Sequence, residues 1–273
     1  MRMNTLERVR ELHLARLSVG KTFSDMILSK FPFLETLYLI MPKCTLETFE
    51  ITCVSLKKVT LNYWFSDKQM NIHIYASKLL YFSYEGRKIP SLLFPSKTPA
   101  EIKLVLRLHK SYPIDQSFFI KVREALDLSS NFDIKIKNNF VPLNIDLDDL
   151  RRMVPFPARN VQLLSFGEHL DTKLWKHSPL FDFIFSICCP QYVKAYYWSS
   201  NGKNYRYDQM MRMMEQKTCD LKDIEIKNPG DGKWESLTNS WRSYHFLCEL
   251  PWRSFYDKGN DYNSDEFKLN WWS

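Results

Sequence analysis

Phe31-Pro32-Phe33-Leu34-Glu35-Thr36-Leu37-Tyr38-Leu39 is the stretch on which the reading of this chain turns. A proline ends a segment with apolar residues at helical spacing (Phe23, Ile27, Leu28, Phe31), and Leu34, Leu37 and Leu39 follow at offsets 0, 3 and 5. Alternate residues of a short strand point to one side. Leu37 and Leu39 therefore serve a core, while Thr36 and Tyr38 face away from it. Leu34 sits just ahead of the strand, where the chain turns into it. One such stretch says little, but recurrence at a fixed interval marks a stacked repeat.

The spacing does recur. Val9, Leu12 and Leu14 show it first, then Leu56, Val59 and Leu61, then Leu79, Phe82 and Tyr84; Ile102, Leu104 and Leu106 alternate after them. The starts are separated by roughly 22–25 residues, inside the ~20–29 range of leucine-rich repeats. The lookalike at Leu46, Phe49 and Ile51 comes too early for a new coil. Thr48 to Thr52 is therefore read as an extended segment on the outer side of the same coil, with Ile72 and Ile74, and Leu92-Leu93-Phe94, in the same role.

Beyond residue 110 the coils lengthen. Phe118 to Leu128 reads as an amphipathic helix, Ile134 and Ile136 as a strand, and Leu147, Leu150 and Met153 as a short helix. Val161, Leu164 and Phe166 restore the spacing after Pro155 and Pro157. Leu180 to Cys188 reads as an apolar helix leading to Val193, Tyr196 and Trp198, and a helix over Gln209 to Gln216 leads to Leu221, Ile224 and Ile226. The later periods are about 28 to 32 residues, close to the upper end of the same range. The predicted fold is an α/β leucine-rich-repeat solenoid, a right-handed β-α horseshoe with short inner parallel strands and a mixed helical and extended outer side. It is expected over residues 1–227. Residues 228–273 hold five of the eight tryptophans and are expected to cap the last coil, as a solenoid end requires. In that cap Phe267, Leu269 and Trp271 alternate as a last strand, after an exposed loop over Lys258 to Asp265.

Composition narrows the function. The chain has 273 residues, 45 % of them hydrophobic, and only 7 glycines. Scarce glycine argues against Gly-rich phosphate loops. The net charge of +7 divides into +8 over residues 1–200 and −1 over residues 201–273. The longest basic runs are pairs such as Lys57-Lys58 and Arg151-Arg152, so a solvated basic exterior is favoured and nucleic acid is not an expected partner. The six cysteines include no C-x-x-C pair, Met1 to Arg10 carries no apolar run, and no stretch approaches the length of a membrane span. These features predict an intracellular protein of the nucleus or cytoplasm, with free thiols and no membrane partner.

No catalytic constellation emerges. The six histidines are scattered without metal-binding spacing. Cys188-Cys189 sits at an apolar helix end and reads as buried thiols. Asp146, Asp148 and Asp149 lack the glycine and terminal glutamate of a calcium loop and read as a helix-start cluster. Neither a G-x-S-x-G nor a P-loop is present. The expectation is a non-enzyme without cofactor or metal. A doubly wound nucleotide-binding enzyme is the rival fold, and the missing Gly-rich turn and the 22-residue period count against it.

The opening stretch, Ser55-Leu56-Lys57-Lys58-Val59-Thr60-Leu61, and Ala76-Ser77-Lys78-Leu79-Leu80-Tyr81-Phe82-Ser83-Tyr84-Glu85-Gly86 resemble, in that order, recurring phrases of plant F-box/leucine-rich-repeat proteins. Cys189-Pro190-Gln191-Tyr192-Val193 and Leu221-Lys222-Asp223-Ile224-Glu225-Ile226 resemble the later part of the same family. The resemblance implies the substrate-recognition half of an SCF-type ubiquitin ligase receptor. In such receptors the repeats hold a target protein and an F-box docks the Skp adaptor, which connects to cullin. This sequence departs from that plan because no F-box phrase precedes its first repeat. Skp and cullin are therefore expected as partners only of a longer form that carries one.

Alternation places the candidate recognition residues on the concave face: Glu11, His13, Thr36, Tyr38, Lys58, Thr60, Tyr81, Ser83, Lys103, Asp133, Lys135, Tyr197, Asp223 and Glu225. A row mixing tyrosines and charges suits a protein target. The alternatives are a non-ligase binding scaffold, a receptor for a small hormone-like molecule held by converging basic side chains, and a truncated remnant without a partner.

Overall fold

The computed structural model describes residues 8–16, 18–19, 28–41, 43–44, 46–63, 69–107, 115–128, 132–136, 145–166, 180–197, 221–227, 232–236 and 263–271. Three successive coils start with the same device. The amides of Leu34, Leu56 and Leu79 donate to the carbonyls of Phe31, Cys53 and Ala76 at 3.1, 3.2 and 3.2 Å, closing a four-residue turn. The last residue of each turn is the leading leucine of the sequence spacing, and all three are fully buried. Each turn also hangs on its neighbour. The Glu35 carbonyl accepts from the Lys57 and Lys58 amides at 2.8 and 3.0 Å, and the Lys57 carbonyl accepts from those of Leu80 and Tyr81 at 2.8 and 3.1 Å. The Ser55 hydroxyl adds a further tie, lying 2.9 Å from the Pro32 carbonyl oxygen and 2.8 Å from that of Leu34.

Each turn feeds a strand of one large sheet. Numbered along the chain, its parallel strands are β1 (Glu11–Ala15), β3 (Thr36–Ile40), β6 (Lys58–Tyr63), β8 (Tyr81–Gly86), β10 (Glu101–Leu106), β11 (Phe132–Ile136), β12 (Val161–Phe166) and β13 (Tyr192–Tyr197). On the other side of the early coils β5 (Thr48–Thr52), β7 (Asn71–Tyr75) and β9 (Ser91–Leu93) form a second parallel sheet, and β2 (Ser18–Val19) pairs with β4 (Lys43–Cys44). The chain is thus a solenoid, with an extended outer side where the sequence placed one. The two sheets enclose the core. Leu37, Leu39, Val59, Leu61, Phe82 and Tyr84 enter it from one side and Phe49, Ile51, Ile72 and Ile74 from the other, all buried.

Later coils exchange the outer strand for a helix: α1 (Gln116–Leu126), α2 (Leu147–Met153) and α3 (Leu180–Ile187). The period changes with it. Leu39 pairs with Leu61 and Leu61 with Tyr84, steps of 22 and 23 residues, whereas Leu104 pairs with Ile134 and Ile134 with Leu164, steps of 30. Length per residue explains the difference. A strand rises about 3.3 Å per residue and a helix about 1.5 Å. The five residues of β5 and the eleven of α1 therefore cover nearly the same distance. Asp115 caps α1, its carboxylate accepting from the Phe118 amide at 3.0 Å. Phe119, Val122, Ala125 and Leu126 bury the inner face of α1, with the Phe119 ring 5.5 Å from that of Phe183 in α3.

The end of the sheet departs from the expected repeat. The Leu221, Ile224 and Ile226 segment forms β14 (Leu221–Lys227) but does not pair with β13. β16 (Asn263–Trp271), from the region expected as a cap, lies between them and runs antiparallel to both. β15 (Trp234–Ser236) pairs antiparallel on the far side of β14. Alternating Phe267 and Leu269 announce a strand, but period-two alternation carries no direction. Of the loop expected over Lys258 to Asp265, Asn263, Ser264 and Asp265 belong to β16, and residues 258–262 lie outside the described residues. The helix expected over Gln209 to Gln216, and most of the segment from Phe23 to Phe31, lie outside the described residues.

Gly86, the last residue of the third resembling phrase, has a packing reason. A Cβ there would stand 2.2 Å from the Tyr84 hydroxyl oxygen and 2.5 Å from its ring carbon Cζ. Tyr84 is buried beside Tyr63, and that burial pushes its hydroxyl pKa far above the ordinary value, so the added Cβ would press on a packed ring. Gly86→Ala is expected to lower stability by about 1–3 kcal/mol, as overpacked cores do, measured by urea unfolding. Asp115→Ala is expected to cost about 1 kcal/mol through loss of the α1 cap. The hydroxyl of Ser117, then the Phe118 amide, hold the Asp115 carboxyl below its usual pKa. Its contribution is therefore full above the ordinary carboxylate range and is lost as pH falls through the lowered folded value. The gap between wild type and Asp115→Ala should narrow steadily as pH falls below the ordinary carboxylate range.

Candidate functional site

The face of the main sheet turned away from the core is ordered into rows by the parallel register. One row runs Glu11, Thr36, Lys58, Tyr81, Glu101. The next runs His13, Tyr38, Thr60, Ser83, Lys103, and continues in register through Asp133. A third runs Ala15, Ile40, Asn62, Glu85, Val105, then Lys135. Neighbours along a row are about 4.8 Å apart, close enough for side chains to interact directly. Of the candidates from the sequence, the register therefore gathers Glu11 through Lys135 into one patch.

Within the patch the side chains hold one another. His13 Nε2 lies 2.6 Å from Glu11 Oε1, and the His13 and Tyr38 rings are 5.3 Å apart, tilted by 30°. The Tyr38 hydroxyl accepts from Asn62 Nδ2 at 2.7 Å. The Lys58 ammonium sits 5.1 Å from the centre of the Tyr81 ring, a cation–π contact. Arg107 Nε and Nη2 both lie 2.7 Å from Glu85 Oε1. At the adjoining rim Glu35 accepts from Lys57 Nζ at 2.8 Å, and that bond, with the nearby positive charges, holds its carboxyl below the usual range.

Some candidates occupy places the sequence did not foresee. Ser83 is only 7 % exposed and lies on the floor of the patch beside the longer Tyr81, Glu85 and Lys103, so it is not the open contact residue expected. On β13 Val193 is buried and its neighbours Tyr192 and Lys194 are half-buried, while the side chain of Tyr197 lies outside the described residues. Asp223 and Glu225 lie on β14, beyond β16. There Lys268 Nζ bonds both Glu225 oxygens at 3.0 and 2.9 Å, and Asn270 Nδ2 donates to Glu225 Oε1 at 2.8 Å. Tyr192 stacks 5.9 Å from Trp234. The sequence missed Asn62, Glu85 and Tyr192. For the first two the signal was present, because alternation simply continues one step further along β6 and β8.

The thiols of Cys53, Cys188 and Cys189 are buried, and burial, followed by the neighbouring Cys189, pushes the Cys188 thiol pKa far up. Among the described residues no helix is long and apolar enough to cross a membrane. No family model, no curated protein and no solved structure matches this chain.

Asn62 is 6 % exposed, so its amide depends on the Tyr38 hydroxyl. Tyr38→Phe keeps the ring but removes that acceptor. It is expected to cost about 1–2 kcal/mol in urea unfolding. A loss too small to resolve would show that the Asn62 amide is satisfied elsewhere.

Proposed function

We propose that this chain is a leucine-rich-repeat recognition module, of the kind that holds target proteins in F-box receptors of SCF-type ubiquitin ligases, and that it binds its target on the open face of the main sheet. The observation that carries this reading is the continuous patch from β1 to β10. Tyr38 and Tyr81 stand half-exposed there among Glu11, His13, Lys58 and Lys103. Aromatic anchors within a charged surround are what protein interfaces favour. The 22- and 23-residue steps, the buried leucine closing each turn, and the ordered phrases shared with the plant family support the repeat class. The module recognises, and chemistry on the bound target belongs to other proteins. In such receptors Skp and cullin join through the F-box and not through the repeats.

Affinity purification of the chain from plant extract, followed by mass spectrometry, tests this. A specific protein should be recovered, and Tyr81→Ala should weaken its binding about tenfold or more, as hot-spot truncation does, with the circular dichroism spectrum unchanged. Binding that survives both Tyr81→Ala and Lys58→Ala would move the target off this face. Recovery of Skp and cullin with this chain would refute the requirement for an F-box.

A further inference from the structure

The entry turns ahead of β3, β6, β8 and β10 lie side by side along one rim of the solenoid. The Glu35 amide donates to the Arg10 carbonyl, the Lys57 amide to that of Glu35, the Leu80 amide to that of Lys57 and the Glu101 amide to that of Leu80. Arg10, Glu35, Lys57 and Leu80 are therefore neighbours on successive coils, about 4.8 Å apart. Lys78 and Lys97 stand exposed in the turns ahead of β8 and β10. Among the described turn residues Arg10, Lys57, Lys78 and Lys97 thus face one carboxylate, that of Glu35. That carboxylate is already engaged, accepting from Lys57 Nζ at 2.8 Å and lying 3.7 Å from Arg10 Nη1. The open face differs, because Glu11, Glu85 and Glu101 balance Lys58, Lys103 and Arg107 there. Apolar side chains share the rim. Phe33, Val54 and Leu80 are 47 %, 65 % and 50 % exposed, one at each of three successive turns, and Arg10 lies 5.3 Å over the Phe33 ring. The Glu35 and Lys57 carbonyls each accept two amides from the next coil, so recognition at the rim falls to side chains.

We propose that this rim docks an extended segment of a partner protein in which acidic residues are interspersed with apolar ones. The surplus of positive charge selects the acidic residues, and the exposed Val54 and Leu80 select the apolar ones. From Arg10 to Lys97 is four coil steps, about 19 Å, which about six extended residues span. A nucleic-acid strand would use the cations but leave the aliphatic Val54 and Leu80 uncovered, since its bases stack on aromatic rings. A bilayer is flat, whereas Phe33 and Leu80 are half-covered beside the longer Arg10 and Lys57, whose charged heads it would meet first. A narrow chain reaches both. The turn bonds and the two Ser55 ties hold the rim in shape before anything binds, which lowers the entropy lost on docking. The rim lies beside the rows of the open face and not among them, so its occupancy does not depend on the recognition proposed there.

Fluorescence anisotropy of the full chain with a labelled nine-residue peptide, glutamates interrupted by two leucines and a phenylalanine, tests the proposal. Saturable binding that weakens with added salt is expected. Lys78, Lys97 and Leu80 are exposed, so substitutions there leave the core alone. Lys78→Glu, Lys97→Glu and Leu80→Ser should each weaken binding about fivefold. Lys121→Glu makes the same charge change on α1 and should leave binding as it is. No binding, or binding that either Lys78→Glu or Leu80→Ser leaves unchanged, overturns the proposal. So does a single-stranded oligonucleotide, or a phosphatidylserine vesicle, that binds more tightly than the peptide and is weakened by the same substitutions.

Discussion

The structure depends on one buried side chain in each of three successive early coils, the leucine that ends the entry turn. Leu34, Leu56 and Leu79 are each held by a backbone bond to the residue three positions back and are each fully buried. Together these constraints fix where the turn ends and which way the next residue faces. Because the side-chain period of a strand is two, a slip of one residue would send Leu37 and Leu39 outward and Thr36 and Tyr38 into the core. Replacing such a leucine by alanine removes packing worth about 2–5 kcal/mol, and it also loosens the phase of the strand that follows. The open face is therefore ordered from beneath. Tyr38 and Thr60 lie side by side because Leu34 and Leu56 hold equivalent places one coil apart.

With the inner side fixed in phase, the outer side is left with a distance to cover rather than a particular secondary structure to adopt. Thr48 to Thr52 covers it with five extended residues carrying Phe49 and Ile51 inward, and Gln116 to Leu126 covers it with eleven helical ones. The first finds backbone partners in β7 and the second finds them internally. Composition decides between them. β-branched and aromatic residues alternate over Thr48 to Thr52 and Asn71 to Tyr75, while Phe119, Val122 and Leu126 recur at three and four. Inner strands can therefore keep one spacing while the period moves from 22 to 30 residues.

The same reasoning separates what was legible in the sequence from what was not. Where a turn leucine is present, strand, phase and outer segment were all readable, and the candidates from Glu11 to Lys103 fall in adjacent register. At β13 the phase was not readable. Val193 pairs with Leu164, which pairs with Ile134, so it stands where Leu39 stands in its coil, at the end of the spacing and not at its start. Taking Val193 as the start of the spacing therefore passes over Tyr192 and Lys194, its described neighbours on β13. Tyr196 and Trp198 complete that spacing in the sequence, and their side chains lie outside the described residues. The insertion of β16 between β13 and β14 was not readable either, because it depends on where a distant segment returns. Ser83 was misjudged for a different reason. Alternation gives direction but not depth, and a small side chain among Tyr81, Glu85 and Lys103 becomes a floor.

That floor bears on how the face can bind. The flanking side chains are already restrained by one another, through Lys58 on Tyr81, Asn62 on Tyr38 and Arg107 on Glu85. Much of the rotamer entropy that an interface would lose on association is thus lost when the chain folds. A partner must instead compete with these internal contacts. An acidic group that approaches Lys58 from the ring side weakens a cation–π contact, worth about 0.5–1 kcal/mol at an exposed site. It can keep that contact by approaching the ammonium from the side away from the ring. For the binding proposed on this face, the geometry therefore favours a partner that lies along the rows, over the small Thr60 and Ser83 and between the two tyrosines. One that pushes in from above would have to break the pairs the face is made of.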